Sequence, residues 1–104
     1  MDFVTNIRRF IQYNKNYRFE VFNDGKMQVA VLKLEVDEDI PEETHPNSDQ
    51  MVYVESGFGT VKIGDSYYSI YPGVMFIISA GKNHYIVNDG DEVLRAFTIY
   101  SPPE

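Results

Sequence analysis

From residue 17 onward, apolar and polar positions alternate in short runs broken by Gly, Pro, Asn and Asp. That is the period-two signature of half-buried β-strands. The run Met27 to Val36 sets the pattern: Ala30, Leu32, Leu34 and Val36 share one face, while Val29, Val31, Lys33 and Glu35 share the other. The first face must be interior, and the apolar half of the second needs cover from the N-terminal segment or from another subunit. Asn23-Asp24-Gly25-Lys26 supplies a tight turn, because its Asp-Gly pair tolerates positive φ, and joins residues 17–22 to 27–36 as a hairpin. Further strands are predicted over 50–55, 59–63, 66–70, 74–79, 84–88 and 93–100. Their separators are Ser56-Gly57-Phe58, Gly64-Asp65, Tyr71-Pro72-Gly73, Ala80-Gly81 and Asn88-Asp89-Gly90-Asp91. Regular spacing of this kind predicts an all-β antiparallel barrel or sandwich.

The first sixteen residues depart from the pattern. Phe3, Ile7, Phe10 and Ile11 recur at helical spacing, with Asp2 or Thr5 as candidate caps, which predicts a short amphipathic helix. Arg8 and Arg9 would face solvent, and the apolar stripe would pack on the barrel or on a partner. The expected organisation is an N-terminal extension over residues 1–16 and one barrel domain over 17–104. The chain carries no internal repeat and no low-complexity segment.

A chain of 104 residues makes one domain and buries roughly 65% of its unfolded surface without disulfides, and it has no cysteine to form them. Cysteine-free composition fits a reducing cytosol. The opening Met-Asp-Phe-Val-Thr-Asn-Ile-Arg-Arg lacks the apolar core of a signal peptide, and no run approaches the ~18 apolar residues of a membrane helix. A cytoplasmic protein is expected. The net charge of -7, concentrated in Asp37-Glu38-Asp39 and Glu42-Glu43, would repel nucleic-acid phosphates and anionic membranes. Neither is expected as a partner. For most of these acids a solvated loop is the expected setting.

Candidate chemistry centres on two histidines. His84 lies in Gly73-Val-Met-Phe-Ile-Ile-Ser-Ala-Gly81-Lys-Asn-His84-Tyr-Ile-Val-Asn88, framed by glycines and followed by a strand-like run. His45 lies in Glu42-Glu43-Thr44-His45-Pro46-Asn47-Ser48-Asp49-Gln50, ahead of Gly57. Glu43 and His45 are two positions apart, so they point to one face of an extended segment. Either histidine could instead be a hydrogen-bonded core residue.

The His84 segment resembles the second motif of the cupin superfamily, in which the histidine is a metal ligand inside a small β-barrel. The His45 segment resembles the first motif, G-x5-H-x-H-x3,4-E-x6-G. Counting back from Gly57, Gln50 takes the place of the motif's glutamate, His45 that of its second histidine, Glu43 that of its first and Asp37 that of its leading glycine. The phrases Glu38-Asp39-Ile40-Pro41-Glu42-Glu43-Thr44-His45-Pro46, Asn88-Asp89-Gly90-Asp91-Glu92 and Thr98-Ile99-Tyr100-Ser101-Pro102-Pro103-Glu104 are similar to those of a small single-domain cupin-2 subgroup with an E-x-H-P-x-x-D-Q first motif.

The resemblance implies a double-stranded β-helix, or jelly-roll barrel. It also implies a divalent metal, Fe, Zn, Mn or Ni, held by Glu43, His45, Gln50 and His84. Both departures keep oxygen donors, since Glu43 offers a carboxylate and Gln50 a carbonyl oxygen. Gln50 could equally bond a metal-bound water or orient Glu43. Without metal, Glu43 and His45 would form a catalytic base and acid pair. Ser79 stands where the motif usually has proline, a change that loosens the turn before Gly81.

The expected function is that of a metal-binding cupin acting on a small organic molecule, dioxygenase-like or like a sugar or keto-acid isomerase. The alternative is a non-catalytic ligand-binding or assembly module. Lys82 and Arg95 are candidates to receive an anionic substrate, though both residue types are common on surfaces. Tyr53, Tyr85 and Tyr100 are candidates for the pocket mouth, with core or interface packing as the other role. Exposed edge strands and the Val29/Val31 face predict a homodimer.

Overall fold

The computed structural model describes residues 2–104. One helix, α1 (Ile7–Tyr13), precedes nine strands: β1 (Arg18–Asn23), β2 (Gln28–Leu34), β3 (Asp39–Thr44), β4 (Asp49–Ser56), β5 (Gly59–Ile63), β6 (Ser66–Ile70), β7 (Met75–Ile78), β8 (Asn83–Val87) and β9 (Leu94–Ser101). They form two antiparallel sheets, β1-β2-β9-β4-β7 and β3-β8-β5-β6. The architecture is a jelly-roll β-sandwich, as the alternating pattern predicts.

The helix is capped by Asn6, whose side chain accepts from the Arg9 amide, and not by Asp2 or Thr5. Asn6 sits directly before the first helical residue, where an Asx oxygen reaches an otherwise unbonded N–H. Ile11 is buried, while Arg8 reaches out to pair with Glu55 at 3.1 Å. Arg95 is the peg that holds the helix down: its guanidinium donates to the backbone oxygens of Ile11 and Asn14 at 3.0 and 2.9 Å. That contact removes Arg95 as a substrate anchor.

The acidic segment is only partly a loop: Asp37 and Glu38 lie in an exposed turn, whereas Asp39, Glu42 and Glu43 are on a strand. Asp39 and Glu42 sit exposed on β3, which pairs with β8 and so needs no apolar alternation of its own. Just before it, Asp37 adopts φ 70, a left-handed conformation that glycine reaches without strain and that aspartate tolerates better than most residues. This accounts physically for a glycine at that place in the motif. Gly57 (φ 89) is required for a second reason, since a Cβ there would lie 2.5 Å from the Val93 carbonyl oxygen.

Polarity is graded along the interior of the sandwich. On the five-stranded sheet the inward rows run from Gln28, Tyr100, Gln50 and Ile78 at one end, through Ala30, Thr98, Val52 and Phe76, to Leu32, Ala96 and Val54, and finally Leu34 and Leu94. The facing sheet matches this order, with Glu43, His84 and Ile63 in one row and Ile40, Ile86 and Val61 in the next. The apolar end closes into one core cluster around a residual void of only about 10 Å³. The polar end is where the chemistry collects.

The outer face of the five-stranded sheet is apolar across its whole width. One row reads Phe22, Val29, Ile99, Met51 and Ile77, and the next Phe19, Val31, Phe97, Tyr53 and Met75. The N-terminal segment covers the β1 side, through Phe3 against Phe22 at 4.9 Å and Phe10 against Phe19 at 6.1 Å. Met75 and Ile77, at the other edge, stay exposed.

Candidate metal centre

Three side chains of the polar end converge. Glu43 on β3 lies directly opposite His84 on β8, and His45 follows two residues after Glu43 at the end of the strand. Glu43 Oε1 is 3.3 Å from His45 Nε2 and 3.6 Å from His84 Nε2, and the two imidazoles stand with centroids 5.0 Å apart. Both histidines are buried and Glu43 is partly exposed. One donor atom from each of the three falls within 4.8 Å of the others, so the group could hold a metal ion.

His84 Nδ1 lies 3.1 Å from the Lys82 carbonyl oxygen, which can only accept, so the proton belongs on Nδ1 and the lone pair on Nε2. His45 has a carboxylate oxygen beside each ring nitrogen, Glu104 at 3.4 Å from Nδ1 and Glu43 at 3.3 Å from Nε2, so a cation on the Nε2 side would leave Glu104 as the acceptor for its proton. Both Nε2 atoms are buried without a hydrogen-bond partner. His84 therefore aims the Nε2 lone pair toward the Glu43 carboxylate, an arrangement that repels unless a positive centre lies between them.

Gln50 contributes a third orphan. Its Nε2 donates to Thr98 Oγ1 at 3.0 Å and to Tyr100 OH at 3.2 Å, and its Oε1 is buried without a partner. The orientation of the amide is fixed by the network: the Thr98 hydroxyl spends its single proton on the Met51 carbonyl, so it must accept from Gln50. What Gln50 has left to offer is a carbonyl oxygen, a hard donor.

An unpartnered buried acceptor costs about 1–3 kcal/mol, a cost that a bound cation would relieve. Two atoms each about 2.1 Å from one cation sit roughly 3–3.5 Å apart, close to the spacings observed here. Two imidazole nitrogens and a carboxylate could hold a divalent ion, and the Gln50 carbonyl oxygen is a further hard donor at the same end of the sandwich.

Tyr100 packs its ring edge-on against His45 at 5.3 Å, and the Arg18 guanidinium lies 5.2 Å from the centroid of the Tyr100 ring. Burial pushes the Tyr100 hydroxyl up to about 12, a rise that Arg18 partly offsets, so the phenol stays neutral. Tyr17 is also raised, first by burial and then by the nearby Glu43 carboxylate. Tyr53 and Tyr85 do not line the site. Tyr53 lies between buried Val52 and Val54, and Tyr85 between buried His84 and Ile86, so strand parity turns both outward. Tyr53 packs on Phe97 at 5.5 Å. The roles of Thr98, Arg18 and Glu104 did not emerge from motif counting, although the closing Pro102-Pro103-Glu104 phrase was a signal that the last of these has a fixed place.

Beside the site an open cleft of about 530 Å³ runs between β5, β6 and β7. Ile63, which borders it, is the register neighbour of His84, and Lys82 stands at its rim. Val61, Ile70 and Phe76 form its apolar wall.

The fold and this cluster define a jelly-roll β-sandwich with a candidate cation site on its inner face. The chain belongs to the Cupin_2 family, described as Cupin domain, which matches residues 30–100. It is 35% identical over 107 residues to YrkC of Bacillus subtilis (strain 168), covering 97% of this chain and 58% of YrkC. It is 31% identical over 106 residues to L612 of Acanthamoeba polyphaga mimivirus, covering 98% of this chain and 66% of L612. The chain thus spans less than two thirds of both curated relatives. The crystal structure of BH2720 from Bacillus halodurans superposes with a TM-score of 0.96 at 31% identity, covering 100% of this chain and 83% of that one. No helix among the described residues is long and apolar enough to cross a membrane.

Proposed function

We propose that this protein is a metal-dependent cupin that holds a divalent ion through Glu43, His45, Gln50 and His84 and acts on a small organic acid in the adjoining cleft. The observation that carries the reading is the set of three buried lone-pair atoms, His45 Nε2, His84 Nε2 and Gln50 Oε1, left without partners beside the Glu43 carboxylate. Bound there, Fe, Zn, Mn or Ni supplies Lewis acidity toward a carbonyl or carboxylate oxygen. Glu43 is the one member of the set with substantial exposure; without the metal, Glu43 and His45, 3.3 Å apart, would instead form a base and acid pair. Lys82 offers the cleft a positive charge, and the apolar wall accepts the body of the molecule. A keto-acid or sugar isomerase-like reaction fits this arrangement, and a dioxygenase-like one fits it if the metal is iron.

Elemental analysis of protein purified without chelator, beside a His84→Ala variant, tests the assignment. The expected result is close to one metal per chain in the first and little in the second. Equal metal in both would refute the ligand set, and none in either would favour a non-catalytic binding module.

We also infer a homodimer working in the cytoplasm. The exposed Met75 and Ile77 continue two apolar rows that a second copy can cover, and a cysteine-free acidic chain suits that compartment. Size exclusion is expected to give a dimer that Ile77→Asp splits into monomers; a wild type at monomer mass would sink the inference.

A further inference from the structure

The segment after β9 is tied across the polar end of the sandwich rather than left in solvent. The Glu104 amide donates to Gln28 Oε1 at 3.0 Å, and the Ser48 hydroxyl donates to the Pro103 carbonyl at 3.3 Å. Gln28 is itself held, its Nε2 donating to Glu20 at 2.8 Å. These ties place the Glu104 carboxylate between two cationic or proton-bearing partners. Oε1 lies 3.4 Å from His45 Nδ1, and Oε2 lies 3.8 Å from an Arg18 nitrogen. On its far side Arg18 rests over Tyr100, and Tyr100 rests edge-on against His45, so both faces of the arrangement bear on one imidazole.

We propose that Glu104 is a positioning residue for His45: its carboxylate holds the proton on Nδ1 and so keeps the Nε2 lone pair directed at Glu43 and His84. The two histidines are oriented by different means. His84 is fixed by the Lys82 backbone carbonyl, which no side-chain substitution removes, whereas His45 depends on a side chain 59 positions along the chain, the difference of 104 and 45. An imidazole whose second nitrogen faces a carboxylate is a stronger and better-aimed donor, and loss of such a partner costs roughly 10–100-fold in metal affinity. The inference rests on the metal-site reading for its affinity consequence, but the tautomer it assigns, with Glu104 at Nδ1 prevailing over Glu43 3.3 Å from Nε2, is a property of the protein alone, and a metal-free wild type in the Nε2–H form would overturn it.

The test pairs two measurements on wild type, Glu104→Ala and Glu104→Gln. Long-range ¹⁵N correlation spectra of the metal-free proteins report which His45 nitrogen carries the proton, and calorimetric titration with zinc reports affinity. Glu104→Ala is expected to lose the Nδ1–H form and to bind zinc roughly 10–100-fold more weakly. Glu104→Gln keeps an acceptor oxygen and the backbone ties, so it is expected to retain the tautomer and lose less than about tenfold. An unchanged tautomer and affinity in Glu104→Ala would overturn the proposal. So would equal losses of affinity in both variants with the tautomer intact, which would mark a structural role for the tail. Wild type that takes up no zinc would defeat the metal-site reading, and the spectra would then decide the role of Glu104 by themselves.

Discussion

The two ends of the sandwich interior are built from the same strands to opposite purposes. At one end Leu34, Val54, Leu94 and their neighbours close around a void of about 10 Å³ lined by apolar side chains alone. At the other, rows that continue the same strands hold two imidazoles, a carboxylate and an amide, and leave three acceptor atoms unsatisfied. Close packing and apolar burial at the first end supply stability. The second gives stability away, since each orphaned acceptor destabilises a protein that could have filled the space with leucine or valine. The contrast teaches that stability alone does not account for the polar end, which is what the metal-site proposal explains.

Substitutions that move one end and spare the other separate these roles. The largest effect is expected at the apolar end. Leu34→Ala removes a side chain that is 2% exposed and leaves a cavity, at a cost of about 2–5 kcal/mol. Denaturant unfolding should show that loss while zinc affinity, measured at a temperature where both proteins are folded, stays unchanged. A fall in affinity of tenfold or more would mean that the ends are coupled. Gln50→Leu probes the polar end more gently. It removes an orphaned oxygen together with two donated hydrogen bonds, so stability should stay within about 1 kcal/mol of wild type. Zinc affinity should fall about tenfold, since a neutral oxygen is the weakest of the four donors. Affinity equal to wild type would remove Gln50 from the ligand set and leave it as the brace of Thr98 and Tyr100.

Much of the fold was legible because strand periodicity is a local signal. Ala30, Leu32 and Leu34 announce an inward face, and turn residues mark the strand ends. β3 was harder to see: Asp39 and Glu42 carry no apolar alternation, and the strand exists because β8 offers it a ladder. The cap is ambiguous in the sequence for a simpler reason: Asp2, Thr5 and Asn6 are all residue types that cap helices, and hydrogen-bond geometry decides for Asn6. Of the site, Glu43, His45 and His84 are brought together as their motif positions suggest. The outward turn of Tyr53 and Tyr85 follows from parity and was readable in principle. Glu104 was not, because nothing in the spacing of a tail relates it to an imidazole across the sandwich.

The cation site itself is tested most directly by the thermal unfolding of chelator-treated protein with and without one equivalent of Co(II). If His45, His84, Gln50 and Glu43 converge on an ion, the midpoint of the wild type rises on addition, with a visible Co(II) spectrum, because a ligand that binds only the folded state stabilises it. In His84→Ala both signals should vanish. A wild-type midpoint indifferent to Co(II), or an equal rise in His84→Ala, would contradict the account.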